Sequence, residues 1–155
     1  MEKREIQVRE ATVEDAAAIA RLLHDFNTEY EEHTPPVAEL TRHAERMLRE
    51  GEMTVLLAGD GPDGLALLRF RPSVWTERQE AYLQELYVVP ARRGQGTGQA
   101  LMEAILAACR DRDAAWIDLN TGETDVAARG LYRKFGFTNE EGPQGPSMLF
   151  YEREI

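Results

Sequence analysis

The chain predicts a mixed α/β (α+β) sheet with helices on both faces. Three observations carry that prediction. Stretches with a 3.6-residue apolar period alternate with short apolar runs. Two of those runs flank the turn-rich Gly59-Asp60-Gly61-Pro62-Asp63-Gly64, and a third delivers a glycine-bearing turn to another amphipathic stretch. In order, Ile6-Gln7-Val8 reads as a short first strand. Thr12 then caps a helix whose Ile19, Leu22, Leu23 and Phe26 share one face. Thr34-Pro35-Pro36 breaks the chain before a second helix with Leu40, Ala44, Met47 and Leu48 aligned. Met53 to Ala58 and Leu65 to Phe70 form a hairpin around the glycine-rich turn, and Tyr82 to Val89 is the next strand. Leu101, Ala104, Ile105 and Ala108 line the helix that follows. Trp116 to Asn120 reads as a short central strand, Asp125 to Phe135 as a helix ended by Gly136, and Met148 to Tyr151 as a last strand beyond the loop Glu140–Pro146.

Composition bounds the function. With 155 residues and 43% hydrophobic content, residues 1–155 are expected to make a single domain with its own core. The apolar runs are too short to span a bilayer, and Met1-Glu2-Lys3-Arg4-Glu5 does not open a signal peptide, so a cytoplasmic protein without membrane partners is expected. Cys109 is the only cysteine; with His24, His33 and His43 it forms no zinc spacing, so no metal is expected, and a buried helix position suits it. The formal net charge of −10 argues against nucleic acid, which recruits clustered Lys and Arg. It suits a cationic amine substrate, small molecule or peptide, and serves solubility equally well. A homodimer is left open.

The most informative segment is Gly94-Gln95-Gly96-Thr97-Gly98, after Leu86-Tyr87-Val88-Val89-Pro90. Such a turn lets backbone N–H groups approach a ligand without Cβ atoms in the way, and a helix N-terminus favours negative charge. It reads as a phosphate cradle. A P-loop would continue with Gly-Lys-Ser/Thr, but Gly98 is followed by Gln99-Ala100. A dinucleotide fingerprint would need glycine at Gln99 or Leu101. Arg93-Gly94-Gln95-Gly96-Thr97-Gly98 instead resembles the Gln/Arg-x-x-Gly-x-Gly/Ala segment of the GCN5-related N-acetyltransferase (GNAT) superfamily, which holds the pyrophosphate of acetyl-coenzyme A (acetyl-CoA). Leu86 to Arg93 is similar to the family's fourth strand and its exit, and Leu131-Tyr132-Arg133-Lys134-Phe135-Gly136-Phe137 to its Leu-Tyr-x-Lys-x-Gly-Phe ending. Together they span roughly Glu80 to Phe137 with matched order and spacing.

The resemblance implies a mixed, mostly antiparallel sheet with splayed central strands, and an acetyl-CoA-dependent N-acetyltransferase. It implies that Leu86, Tyr87 and Val88 offer backbone to the pantetheine arm, whose two amides a strand edge can satisfy. An ordinary central strand is the alternative. It implies that the loop from Arg93 to Gly98 (Arg93, Gly94, Gln95, Gly96, Thr97, Gly98) binds the cofactor; Arg92 and Arg93 lie in a segment without acids from Ala91 to Ala100, which would make the cradle locally positive.

The implied reaction is direct acetyl transfer to a primary amine in a ternary complex. An alkyl amine of pKa near 10.4 is nucleophilic in fewer than about one molecule in a thousand at pH 7, so a base or water chain must take its proton. Glu85, before the pantetheine positions, and Asp118, sharing a strand face with Asn120, are the candidates; each also reads as a solvated or ion-paired carboxylate. Tyr132 falls on the tyrosine that serves the departing thiolate in many members, and its ring can pack at the same time. Many relatives carry Asn six residues before the Leu of the Leu-Tyr pair, where this chain has Asp125, an acceptor when ionised and a good helix cap. Asn120 could supply an amide instead. The runner-up reading, a CoA-binding or sensing module with degraded chemistry, rests on Asp125 and on the unidentified base.

Overall fold

A computed structural model describes residues 4–155, so Met1–Lys3 of the polar lead-in lie outside the described residues. The chain divides into two compact units, residues up to Leu119 and Asn120–Ile155.

The first unit holds a five-stranded sheet in the order β1-β2-β3-β4-β5: β1 Val8–Glu10, β2 Thr54–Ala58, β3 Gly64–Pro72, β4 Gln79–Val88 and β5 Ala114–Asp118. Pairing is antiparallel from β1 to β4 and parallel between β4 and β5. The turn between β2 and β3 closes where Asp63 N–H donates to Ala58 O at 2.7 Å. The first strand begins two residues later than Ile6, although Gln7 O still accepts from Gly59 N–H at 2.9 Å.

Helix α1, Ala16–Glu29, is entered through a 3-10 turn at Val13–Asp15. Asp15 Oδ2 accepts from Thr12 N–H at 2.8 Å, while the Thr12 hydroxyl donates to Glu14. The cap is therefore largely the carboxylate of Asp15. Hydrogen bonds from Arg9 and from the Thr12 N–H hold that carboxyl down to about 2. Helix α2 spans Val37–Arg49 after Pro36. Ile19 and Leu22 of α1 and Ala44 of α2 pack with Val55, Leu57, Leu65, Leu67 and Tyr87, a core lined by alternate strand residues. Each fully buried Leu or Ile there contributes roughly 1.5–3 kcal/mol.

The other strand parity, Leu56, Ala66, Leu68, Ala81 and Leu83, is buried as well, so the sheet is covered on both faces. Helix α3, Thr97–Asp111, contributes buried Leu101, Met102 and Ile105. A Cβ on Gly64 would lie 3.2 Å from Leu101 Cδ1 and 3.3 Å from Thr97 Cγ2, so the start of β3 and the start of α3 are in close contact. That approach fixes where the glycine loop ends.

Trp116 belongs to β5, but β5 is an edge strand rather than a central one: β4 is its strand neighbour among the described residues, and Trp116 is 63% exposed. In the second unit α4, Val126–Lys134, is capped by Asp125, whose Oδ1 accepts from Ala128 N–H at 3.2 Å. It ends in a Schellman motif, with Phe137 N–H on Tyr132 O, Gly136 N–H on Arg133 O and Gly136 at φ 86°. The expected strand Met148–Tyr151 does not form. The segment's pairing stops at the isolated bridge Glu140↔Ser147, and apolar β-propensity makes no strand without a partner backbone.

Candidate active site

The glycine loop is built as a cradle. After a 3-10 turn at Pro90–Arg92, Gly94 (φ 74°) and Gly96 (φ 90°) take left-handed conformations that a side chain would strain, and Gly96 is the N-cap of α3. A Cβ on Gly94 would meet nothing within 4 Å, so the loop is open to a ligand from that side. The helical ladder starts with Ala100 N–H on Gly96 O at 3.0 Å, which places the N–H groups of Thr97 and Gly98 ahead of it. No acid occupies the first turn of α3. Gln95 folds back, its Nε2 donating to Ala91 O at 3.1 Å.

Beside the cradle the sheet opens. β5 pairs with β4 from Gln79↔Ala114 to Tyr82↔Asp118 and no further, whereas β3 pairs with β4 as far as Val88. From Leu83 to Val88 the other edge of β4 therefore carries no strand among the described residues. Val89 N–H donates to Asp63 O at 2.8 Å on the β3 side. Alternation then turns the peptide groups of Leu86 and Val88 toward the open edge and those of Tyr87 toward β3. Tyr87 instead sends its buried ring into the core, and its hydroxyl donates to Glu29 Oε1 at 3.2 Å.

Arg93 does not lend a free charge to the cradle. Its Nη2 donates to both oxygens of Glu29 at 2.8 and 2.7 Å, its Nε donates to Val88 O at 3.0 Å, and its guanidinium lies over the Tyr87 ring. Arg92 is likewise near Asp63, at 3.7 Å. The side chain of Arg93 thus ties α1 to the end of β4 and occupies the Val88 carbonyl. Arg93→Lys, which keeps the charge but cannot hold two acceptors in one fork, should weaken acetyl-CoA binding with little change in its salt dependence. Arg93→Ala, which removes the charge as well, should bind less tightly without a shallower salt dependence; a shallower slope, measured by calorimetry, would show that the charge itself faces the ligand.

Glu29 was not legible as a site residue, yet it carried a signal. It lies three residues after Phe26 on the apolar stripe of α1, where a carboxylate needs a partner.

Glu85 pairs with Leu67 on the sheet face that packs on α1, one position past the bulge between Leu67 and Leu68. It is half-buried, and desolvation pushes its carboxyl up from the ordinary range. A carboxylate that holds a proton more tightly than usual is a better base toward an ammonium group. Asp118 is exposed at the last β4–β5 pair, where the two strands part. Among the described residues no group of His, Cys, Asp and Glu could hold a metal ion. Cys109 is buried on α3 with its thiol pushed up by desolvation, which disfavours a nucleophilic thiolate.

In the second unit Asn120 is exposed at the start, and Asp125 is engaged as the cap of α4. Tyr132 is half-buried, its ring 5.9 Å from that of Phe137. Burial first, and the Asp125 charge second, push its phenol up to about 12.

The sequence model described as "Acetyltransferase (GNAT) family" matches residues 17–137, which include the glycine cradle, the open β4 edge and α4. The chain belongs to the GNAT family. This GNAT acetyltransferase is 30% identical to the aminoglycoside N(6')-acetyltransferase type 1 of Stenotrophomonas maltophilia over 138 residues, 86% of this chain and 87% of that one. It is 28% identical to the thialysine N-epsilon-acetyltransferase of Bos taurus over 162 residues, covering 96% and 94% of the two chains. A crystal structure from Arthrobacter sp. FB24 superposes with a TM-score of 0.90 at 43% identity, covering 100% of this chain and 99% of that one. The expected mixed sheet of the family is the observed one. The GNAT family's acyl donor is acetyl-CoA, and this member is an acetyltransferase of that kind.

Proposed function

We propose that residues 1–155 work as one cytoplasmic catalytic domain that moves the acetyl group of acetyl-CoA directly onto a primary amine, without metal or nucleic acid. The observation that carries this reading is the parting of β4 from β5 after Tyr82↔Asp118, beside a glycine cradle of positive φ. The open backbone of Leu86 and the N–H of Val88 suit the amides of an extended pantetheine arm. The N–H groups of Thr97 and Gly98, with the turn from Gly94 to Gly96, suit the pyrophosphate. Acetyl-CoA supplies an activated acyl group.

Glu85 takes the proton from the acceptor ammonium, directly or through one water, with Asp118 the other candidate. The freed nitrogen bonds to the acyl carbon as the carbon–sulfur bond breaks and the electron pair leaves on sulfur; the nitrogen's second proton, lost as the amide forms, passes through water to the thiolate, which leaves as the thiol. Tyr132 serves that thiolate as a hydrogen-bond donor and not as an acid. Against an alkyl thiol near 8.5, proton transfer from a phenol at about 12 is uphill by roughly 5 kcal/mol. Asp125 keeps its capping role, and Asn120 is the nearest amide side chain upstream of it in sequence.

Tyr132→Phe, which removes only the hydroxyl, should therefore lower turnover about ten- to a few hundred-fold and leave acetyl-CoA affinity almost unchanged. Unchanged turnover, with acetyl transfer shown to limit the rate, would reduce Tyr132 to a packing residue. Direct attack is tested by initial rates with both substrates varied. Intersecting double-reciprocal lines are expected; parallel lines together with an acetylated protein would overturn it, and the buried thiol of Cys109 supports the first outcome.

A further inference from the structure

A groove of about 490 Å³ lies over β3 and β4, with Arg69, Arg71, Glu80, Tyr82 and Gln84 among its lining residues. Gln84 in that lining is the chain neighbour of Glu85. By register, Leu67 faces Glu85 and Arg69 faces Tyr82, so Arg69 lies two residues along β3 from the partner of Glu85, across the bulge and on the face that packs on α1. In a regular sheet, Cα atoms so placed are roughly 7–8 Å apart, within reach of one small molecule for two long side chains.

The charges of this groove are not those of a polycation site. Glu80 is already engaged, accepting from Arg71 Nε at 2.9 Å and from Ser73 Oγ at 3.1 Å. Arg69 is different: its described partner is the neutral Gln84, whose Oε1 accepts from Nη1 at 3.5 Å, and it has no carboxylate among the described ion pairs. Two guanidiniums, Arg69 and Arg71, face two carboxylates, Glu52 and Glu80, along the groove, a local balance on a chain of formal net charge −10. A half-buried guanidinium without an anion, two residues along β3 from the partner of a half-buried carboxylate, calls for a ligand carrying both charges.

We infer that the acceptor is an amine bearing a carboxylate, a zwitterion of the amino-acid type, with its carboxylate on Arg69 and its amine toward Glu85. This rests on the proposed amine acetylation and adds the chemistry of the acceptor to it. Glu85 and Arg69 divide the work: the carboxylate of the protein receives the proton of the amine, and the guanidinium fixes the far end.

The test compares amino acids with the amines left when the carboxyl is replaced by hydrogen, lysine against cadaverine among them. Thiol release from acetyl-CoA is followed with the wild type and with Arg69→Met. The amino acid of a pair should be preferred by about 10- to 100-fold in kcat/KM, mainly through KM. Arg69→Met should erase that preference, bringing kcat/KM for the amino acid down to that of its decarboxylated partner measured with the same variant. A preference that survives Arg69→Met, or equal or better turnover of the decarboxylated amine, overturns the inference and leaves amine acetylation standing. Turnover confined to polyamines or aminoglycosides does the same. Tight acetyl-CoA binding with no amine acetylated at all defeats both readings.

Discussion

Glu85→Gln should lower kcat/KM for amine acetylation by about 10²- to 10⁴-fold, the range that a positioned general base supplies. The pH profile should change with it. In the wild type the acidic limb reflects a carboxyl raised above its usual value by burial, so activity falls as pH drops through that raised pKa and the base is protonated. In the Gln variant that limb disappears. Stability moves the opposite way: a carboxyl whose folded pKa is raised stabilises the fold most at low pH, and that contribution is lost as pH rises through the folded value. Glu85→Gln should therefore melt slightly higher than the wild type at neutral pH. A variant that is both less active and less stable there would mark Glu85 as a structural residue, and base catalysis would pass to Asp118.

Acetyl-CoA affinity should collapse in Gly96→Asp, by two to three orders of magnitude. Two causes act together. At φ 90° an L side chain is strained, and a carboxylate at the N-cap of α3 sits where an anion is to be received. A like charge about 4 Å away contributes roughly 4 kcal/mol of repulsion near a protein surface. Space is not the obstacle, since a Cβ at Gly96 would meet only Ile6 Cδ1 at 3.9 Å. Circular dichroism should stay native while calorimetry registers the loss. Gly96→Ala separates the causes, because it keeps the backbone strain without the charge and should weaken binding much less. Affinity unchanged in the Asp variant would remove the loop from the site.

The conformation of the loop around Gly96 was legible in the sequence. A glycine run between an apolar strand and an amphipathic helix is a local pattern, and local backbone preference decides its conformation. The stripe of Ile19 and Leu22 on α1 was legible in the same way, through a single helical period. Long-range pairing was not. Nothing in Trp116–Asp118 says that β5 lies at an edge, because edge and centre differ in what lies beyond the strand. Met148–Tyr151 has the composition of a strand but its backbone pairing is confined to its start, where Met148 N–H donates to Asn139 O at 2.6 Å beside the bridge Glu140↔Ser147. The segment from Ala91 to Ala100 was read as making the cradle locally positive, and the pairing of Arg93 with Glu29 was not legible, because that carboxylate is 64 residues away on α1. Burial of Glu85 likewise depends on neighbours distant in sequence, such as Leu67 on β3, so its raised pKa emerged only with the fold.

The central claim, acetyl transfer from acetyl-CoA to an amine, is most directly tested by quantifying both products of one incubation. Purified protein, acetyl-CoA and a mixture of primary amines are combined, free thiol is measured, and the acetylated amine is identified by mass spectrometry. One N-acetylated amine for each thiol released, at a rate that depends on amine concentration and falls sharply in Glu85→Gln, is the predicted result. Thiol release that ignores the amines, or tight acetyl-CoA binding with no acetylated product, would contradict it and leave a protein that binds the coenzyme without transferring its acetyl group.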